Sequence, residues 1–228
     1  MGRIKDYQRE FVKATFGINV KYFMQLINDG HFTMNLCADT HFFNDVALPL
    51  HHITICWDIV LGYYDEWKKH KDIIKARKIE NDKLKSFFSD KCGLDMSYVP
   101  FNNYQNYFFC NESDATVYDC LSDTKESLLG KGIKEIDIDL RCNVEKFNFE
   151  EVERLLLDGA NPYVEIPDDD DNCFDRIGGE CSFLNNELFD AIIGNTYERD
   201  LDVEIPDLIG LAAHEKMYHL LMNKAKHT

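Results

Sequence analysis

Apolar residues recur along the chain in short sets at helical spacing, each closed by a glycine, a pattern that predicts short helices with built-in stops. In V-E-R-L-L-L-D-G-A-N-P, residues 152–162, Val152, Leu155, Leu156 and Leu157 occupy helical positions and Gly159 stands where a left-handed residue ends the helix. Residues 6–16 and 18–28 read as a helical pair, with Phe11, Val12 and Ala14 in the first helix. Val20, Phe23, Met24, Leu26 and Ile27 line the second, Asn19 caps it and Gly30 ends it. A helix opens at Pro49, and 56–92 is helical almost without a break. There Trp57, Ile59, Val60, Tyr63, Tyr64 and Trp67 form an aromatic stripe, and Leu84, Phe87 and Phe88 lead to a stop at Gly93.

From 95 to 116 the period fails in a stretch rich in Asn and aromatics, which predicts an irregular insert. Phe101, Tyr104, Tyr107, Phe108 and Phe109 are expected to pack on the helices. Residues 114–130 start another pair, capped at Ser113 or Asp114. Asp139–Val144 and Phe147–Asp158 then form the strongest pair. A helix at 182–194 follows, then an acidic turn at Glu198–Asp207 and a last pair opening at Pro206. Helices this short cannot bury their apolar faces alone, so they must stack. The fold class predicted is all-α, a helical-repeat solenoid forming a single domain over 1–228. Its repeats are weak over 6–92, interrupted at 95–130 and clearer over 135–228.

Charge alters this picture in one half only. Residues 1–100 carry 14 Lys and Arg against 13 Asp and Glu, a net of +1, whereas 101–228 carry 11 against 28, a net of −17. That field repels phosphate backbones and attracts cationic surfaces, so nucleic acid is not the expected partner and a basic protein is. The basic run from Lys68 to Lys78 reads as a solvated helix face. Eight cysteines are scattered with no C-x-x-C, and the reading is that they stay reduced. No window approaches 18 uninterrupted apolar residues, and the charged N-terminus lacks the apolar core of a signal peptide. The chain is therefore expected to be cytoplasmic and not to engage a membrane.

The stretch Val-x-x-Leu-Leu-x-x-Gly-Ala-Asn-Pro at 152–162 resembles the second helix and exit turn of an ankyrin repeat, and 135–162 is the best match. N-V-K-Y-F-M-Q-L-I-N-D-G-H at 19–31 resembles the same element but has His31 where the family has alanine, which implies a distorted turn. A-L-P-L-H-H-I-T-I at 47–55 resembles the family's Thr-Pro-Leu-His first helix, with Ala47 in place of threonine. The resemblance implies that His51 bonds backbone at a turn, a structural task, and that Gly159 is a structural turn residue. It further implies that extended fingers and first helices form a concave binding face, with candidates at His41–Asp45, Tyr163–Arg176 and Tyr197–Glu204.

Candidate chemistry is sparse. Asp168, Asp169, Asp170 and Asp171, with Glu165 and Asp175, are the densest set of oxygen donors, but the alternation and early glycine of a calcium loop are missing. A solvated acidic finger is the preferred reading, and no metal is expected. His31, His41, His51 and His52 lack H-E-x-x-H or another ligand spacing. There is no G-x-S-x-G; Cys173 and Cys181 lie among acids that make a thiol less reactive; and Gly130-Lys131-Gly132 is not a phosphate loop. No catalytic residue and no cofactor is assigned. The function expected is a non-enzymatic protein-binding module for a basic protein, of the inhibitor or immunity type, with the site at Tyr163, Glu165, Asp168–Asp171, Phe174 and Asp175. Two other classes remain open: an enzyme of another fold with its site in the 95–116 insert, and a self-associating structural protein.

Overall fold

The computed structural model describes residues 2–38, 41–42, 46–47, 49–63, 70–101, 123–167, 172–175, 177 and 201–225. The fold is all-α. Helix α1 spans Gly2–Phe16, α2 Val20–Asn28, α3 Asn35–Ala38, α4 Leu50–Tyr63 and α5 Lys71–Ser86, which runs on into a π-helical turn at Phe87–Lys91. Later in the chain come α6 Lys125–Gly130, α7 Glu135–Glu145, α8 Phe149–Leu157 and α9 Leu201–Ala225. A two-residue hairpin, His41–Phe42 against Val46–Ala47, pairs His41 with Ala47. Two compact units result: one of 1–99 with 186–212, the other of 100–185 with 213–228.

The helix–turn–helix of 13–31 returns at 142–160 bond for bond, shifted by 129 residues. Asn19 N–H donates to the Ala14 carbonyl as Asn148 does to Asn143; Asp29 N–H donates to Gln25 as Asp158 does to Arg154; His31 N–H donates to Leu26 as Ala160 does to Leu155. Both second helices are capped by asparagine, the Asn19 side chain accepting from Tyr22 N–H and that of Asn148 from Glu151 N–H. Both end on a left-handed glycine, Gly30 at φ 79° and Gly159 at φ 94°. At the turns between the helices the left-handed position is filled by Ile18 at φ 49° and Phe147 at φ 51°, each almost wholly buried. A β-branched or aromatic residue in that region is strained, and burial of the side chain holds it there.

A third glycine stop, Gly132 at φ 88°, closes α6, and Gly93 at φ 67° closes the π turn one residue later than the pattern requires. A Cβ at Gly159 would meet nothing within 4 Å, and the same holds at Gly62 inside α4. Gly159→Ala is therefore expected to lower stability by about 1 kcal/mol through backbone strain alone. Gly62→Ala is expected to raise it by about 0.5–1 kcal/mol, because its helical backbone suits alanine. Thermal unfolding of the two variants side by side checks both signs.

In the first unit the core gathers around Phe23, whose ring meets Phe11 at 5.3 Å, Phe87 at 5.3 Å and Phe88 at 5.6 Å. Leu50, Ile53, Trp57 and Val60 of α4 are buried, as is Leu84 of α5. Asn81 of α5 donates to the Thr54 carbonyl of α4 at 2.8 Å. The distortion implied at His31 does not occur: the turn keeps its bonds, and the imidazole stacks on Tyr7 at 3.6 Å.

Several boundaries differ from those read in the sequence. The helix opening at Pro49 runs as one helix over 50–63. Helix α7 begins at Glu135 instead of Asp139, and Phe147 sits in the turn and not in α8. Residues 201–225 are one helix of 25 residues where a turn and a helical pair are expected. Pro206 lies in its second turn, where the missing backbone N–H forfeits one intrahelical bond without ending the helix. The apolar set Ile205, Leu208, Ile209, Ala212, Ala213, Met217 and Leu221 stays buried at helical spacing throughout. Residues 93–100 lack regular structure and Phe101 is buried. Tyr104, Tyr107, Phe108, Phe109 and the helix read at 182–194 lie outside the described residues.

Candidate protein-binding surface

The expected site lies on the segment that follows the exit turn of α8. Its base is fixed from below. Asp137, in the first turn of α7 and 6% exposed, accepts a 2.7 Å hydrogen bond from Asn161 N–H, tying the helix start to the exit turn 24 residues on. A carboxylate at a helix N-terminus also meets the positive end of the helix dipole. The Asn161 side chain accepts from Tyr163 N–H at 3.1 Å, and Cys173 N–H donates to the Pro162 carbonyl, so the far end of the segment returns to its start. Ile166 is 1% exposed and packs with Leu128, Ile138 and Cys142. Beyond it, the Ile177 carbonyl meets Nδ1 of buried His214 at 3.2 Å.

Asp137→Ala leaves the Asn161 amide without its acceptor and is expected to cost about 1–2 kcal/mol. Asp137→Asn, which keeps an acceptor, should cost less. Amide exchange is the measurement: the Asn161 amide should exchange at least about tenfold faster in the alanine variant.

Above this base stands an aromatic group. The rings of Tyr163 and Phe174 lie 4.9 Å apart, and Phe174 meets Tyr218 of α9 edge-on at 5.8 Å. Tyr163 is 55% and Tyr218 39% exposed, so the trio is a surface feature resting on a fixed support. Asn172 shapes the approach, its side chain accepting from Phe174 N–H and Asp175 N–H. Glu165 and Asp175 are exposed at its margin. Asp168, Asp169, Asp170 and Asp171 lie outside the described residues. The structure thus brings Tyr163 and Phe174 of the expected site together. Tyr218 is a member the sequence reading missed; it lies 44 residues beyond Phe174, and its place in a helix offers no local sign of the contact.

The other expected positions fare differently. His51 opens α4 beside His52, ring centroids 4.4 Å apart, and its Nδ1 is buried without a hydrogen-bond partner among the described residues. The turn-bonding task that the resemblance implies for it is not what this nitrogen does; at the 161 turn that task belongs to Asp137. Burial lowers the His51 pKa, and the Asp95 carboxylate opposes the shift. Gly159 holds its turn as expected. Of His41–Asp45, His41 and Phe42 form the first strand of the small hairpin and 43–45 lie outside the described residues; of Tyr197–Glu204, 201–204 are helical and 197–200 lie outside the described residues.

Among the described residues no group of three or more His, Cys, Asp or Glu is placed to hold a metal ion, and no helix is long and apolar enough to cross a membrane. Comparison with family models, with curated proteins and with solved structures gave no match.

Proposed function

We propose that this chain is a non-enzymatic protein-binding module, an irregular ankyrin-like array of helix pairs, that binds a basic protein through the face around Tyr163, Phe174 and Tyr218. The observation that carries the reading is this aromatic trio, exposed to solvent yet mounted on a segment locked by Asp137, Ile166 and Cys173. Rigid aromatics that are already in place lose little entropy on binding and are the residue types that dominate interface energies. The acidic margin, Glu165 and Asp175 with the Asp168–Asp171 run between them in sequence, suits a surface rich in Lys and Arg. It would act mainly on the rate of encounter. The recurrence of one helix–turn–helix at 13–31 and 142–160 supports the repeat reading. In its most specific form the proposal is an inhibitor or immunity-type protein that covers the basic site of a toxin or nuclease.

The test uses the intact chain as bait in host lysate at low and moderate salt, followed by binding kinetics with the basic protein recovered. Changing Asp168–Asp171 to Asn should slow association about tenfold at low salt and flatten its salt dependence. Tyr163→Ala should instead speed dissociation, weakening affinity by about 2 kcal/mol. A partner indifferent to both changes overturns the proposal, as does the absence of any specific partner.

A further inference from the structure

Helix α5 carries a stripe of cations on its outer side. Lys71, Lys75 and Lys78 stand at i, i+4 and i+7, a spacing that puts them on one face; Lys71 and Lys75 are exposed and Lys78 is half-buried. Asp82, one turn past Lys78, ends the stripe. The next lysines along the helix are paired, Lys83 with Glu80 and Lys85 with Asp58. Among the described residues Lys71, Lys75 and Lys78 make no ion pair and no hydrogen bond. Nor does the stripe stabilise its own helix, since Lys71 is the first residue of α5, where the positive end of the helix dipole disfavours a cation. Ile79, one turn beyond Lys75, is 50% exposed, so a large apolar side chain borders the charges. The core is served from another side of α5, through Asn81 and Leu84.

We infer that this face of α5 docks on the surface around Tyr163, Phe174 and Tyr218 of a second copy of the chain, an inference that rests on the reading of that surface as a binding face. The two chemistries are complementary. One surface offers exposed aromatic rings with Glu165 and Asp175 at their margin, in the half of the sequence that carries a net charge of −17. The other offers three uncompensated ammonium groups with an isoleucine beside them, and ammonium groups are attracted to aromatic faces as well as to carboxylates. Two copies of net charge −16 repel each other at a distance, and one helix face buries little area, so the contact is transient. The repulsion between whole molecules fades as the Debye length shrinks from about 30 Å at 0.01 M salt to about 8 Å at 0.15 M, whereas pairs in contact persist to higher salt. Association is therefore strongest at intermediate ionic strength. In the free protein the binding face is covered by another copy, and a more basic partner must displace it.

Sedimentation velocity on the full chain, with no partner present, reads this directly. The weight-average sedimentation coefficient should rise between about 10 and about 500 μM protein at about 0.15 M salt, and rise less at both about 0.01 M and about 0.5 M. Changing Lys71, Lys75 and Lys78 together to Gln should weaken association about tenfold. A control in which Lys21, Lys91 and Lys134, all exposed, are changed to Gln has the same net charge and should associate as the wild-type chain does. Changing Asp168–Asp171 to Asn should also weaken association, although it lowers the repulsion between copies. An equimolar mixture of the α5 variant and the Asn variant should form one-to-one pairs, because each supplies the face that the other lacks. A chain that is monomeric at every salt concentration, a control as weak as the α5 variant, an Asn variant that associates like the wild type, or a mixture that stays monomeric would each overturn the inference. None of these outcomes bears on recovery of a basic partner from lysate, by which the binding reading itself stands or falls.

Discussion

Replacing Trp57 with alanine is expected to cost about 3–5 kcal/mol, a large part of what a domain of this size possesses. The indole is 1% exposed in the middle of α4, and its Nε1 donates to the Phe16 carbonyl at 2.8 Å. That carbonyl belongs to the last turn of α1, where no helical N–H follows to take it. The ring also packs against Phe16 at 5.6 Å. One side chain therefore fills the space between α1 and α4 and caps the end of α1. The two contributions separate experimentally. Trp57→Phe keeps most of the volume but orphans the carbonyl, and should cost about 1–2 kcal/mol. Urea unfolding followed by far-ultraviolet circular dichroism reads both losses; a cost below about 1 kcal/mol for the alanine variant would contradict the buried position.

Acidification from pH 7 to pH 5 is expected to destabilise the protein through His52. Burial, with the neighbouring His51 ring adding to it, lowers the His52 pKa to about 3, whereas an unfolded histidine titrates near 6.5. Above 6.5 the ring is neutral in both states and its contribution is complete. Below 6.5 the unfolded chain takes up a proton that the folded chain does not accept until about pH 3. Stability falls by about 1.4 kcal/mol per pH unit within that window. His51, lowered in the same direction, adds a smaller loss. Between pH 6.5 and 5 carboxylates remain largely ionised in both states, so the interval isolates the histidines. His52→Gln should flatten the dependence, the wild-type protein losing about 1–2 kcal/mol more than the variant between pH 7 and 5. Parallel curves for the two proteins would refute a neutral buried ring.

What the sequence made legible was what local bonds decide. Asn19 as a cap and Gly30, Gly93 and Gly159 as stops depend on residues within one turn, and each stands where it was read. Helix was read over 114–130, but Gly132, weighed only as part of Gly130-Lys131-Gly132, was not read as the stop of α6. Phe147 was misplaced into α8 because nothing in an aromatic side chain signals a left-handed backbone. Only its burial explains why it is tolerated. Pro206 was read as a start signal, which it is on average, but the buried face of α9 outweighs the bond it forfeits. In the candidate site Tyr163 and Phe174 were accessible to composition and position. The support from Asp137 and the third ring of Tyr218 were not, since each joins residues at least 24 positions apart.

The paired turns at 13–31 and 142–160 carry an implication for how the chain acquires its structure. Each of their matched backbone bonds joins residues no more than five positions apart. Such contacts close almost no loop entropy, and they can form in microseconds, before any distant segment has been found. The Trp57–Phe16 and Asp137–Asn161 bonds span 41 and 24 positions and carry a larger closure cost. The turns are therefore expected to form first, as two independent seeds. The strained Ile18 and Phe147 gain their burial only when the rest of each unit condenses around them, so the late steps of folding secure what the early ones had to form under tension.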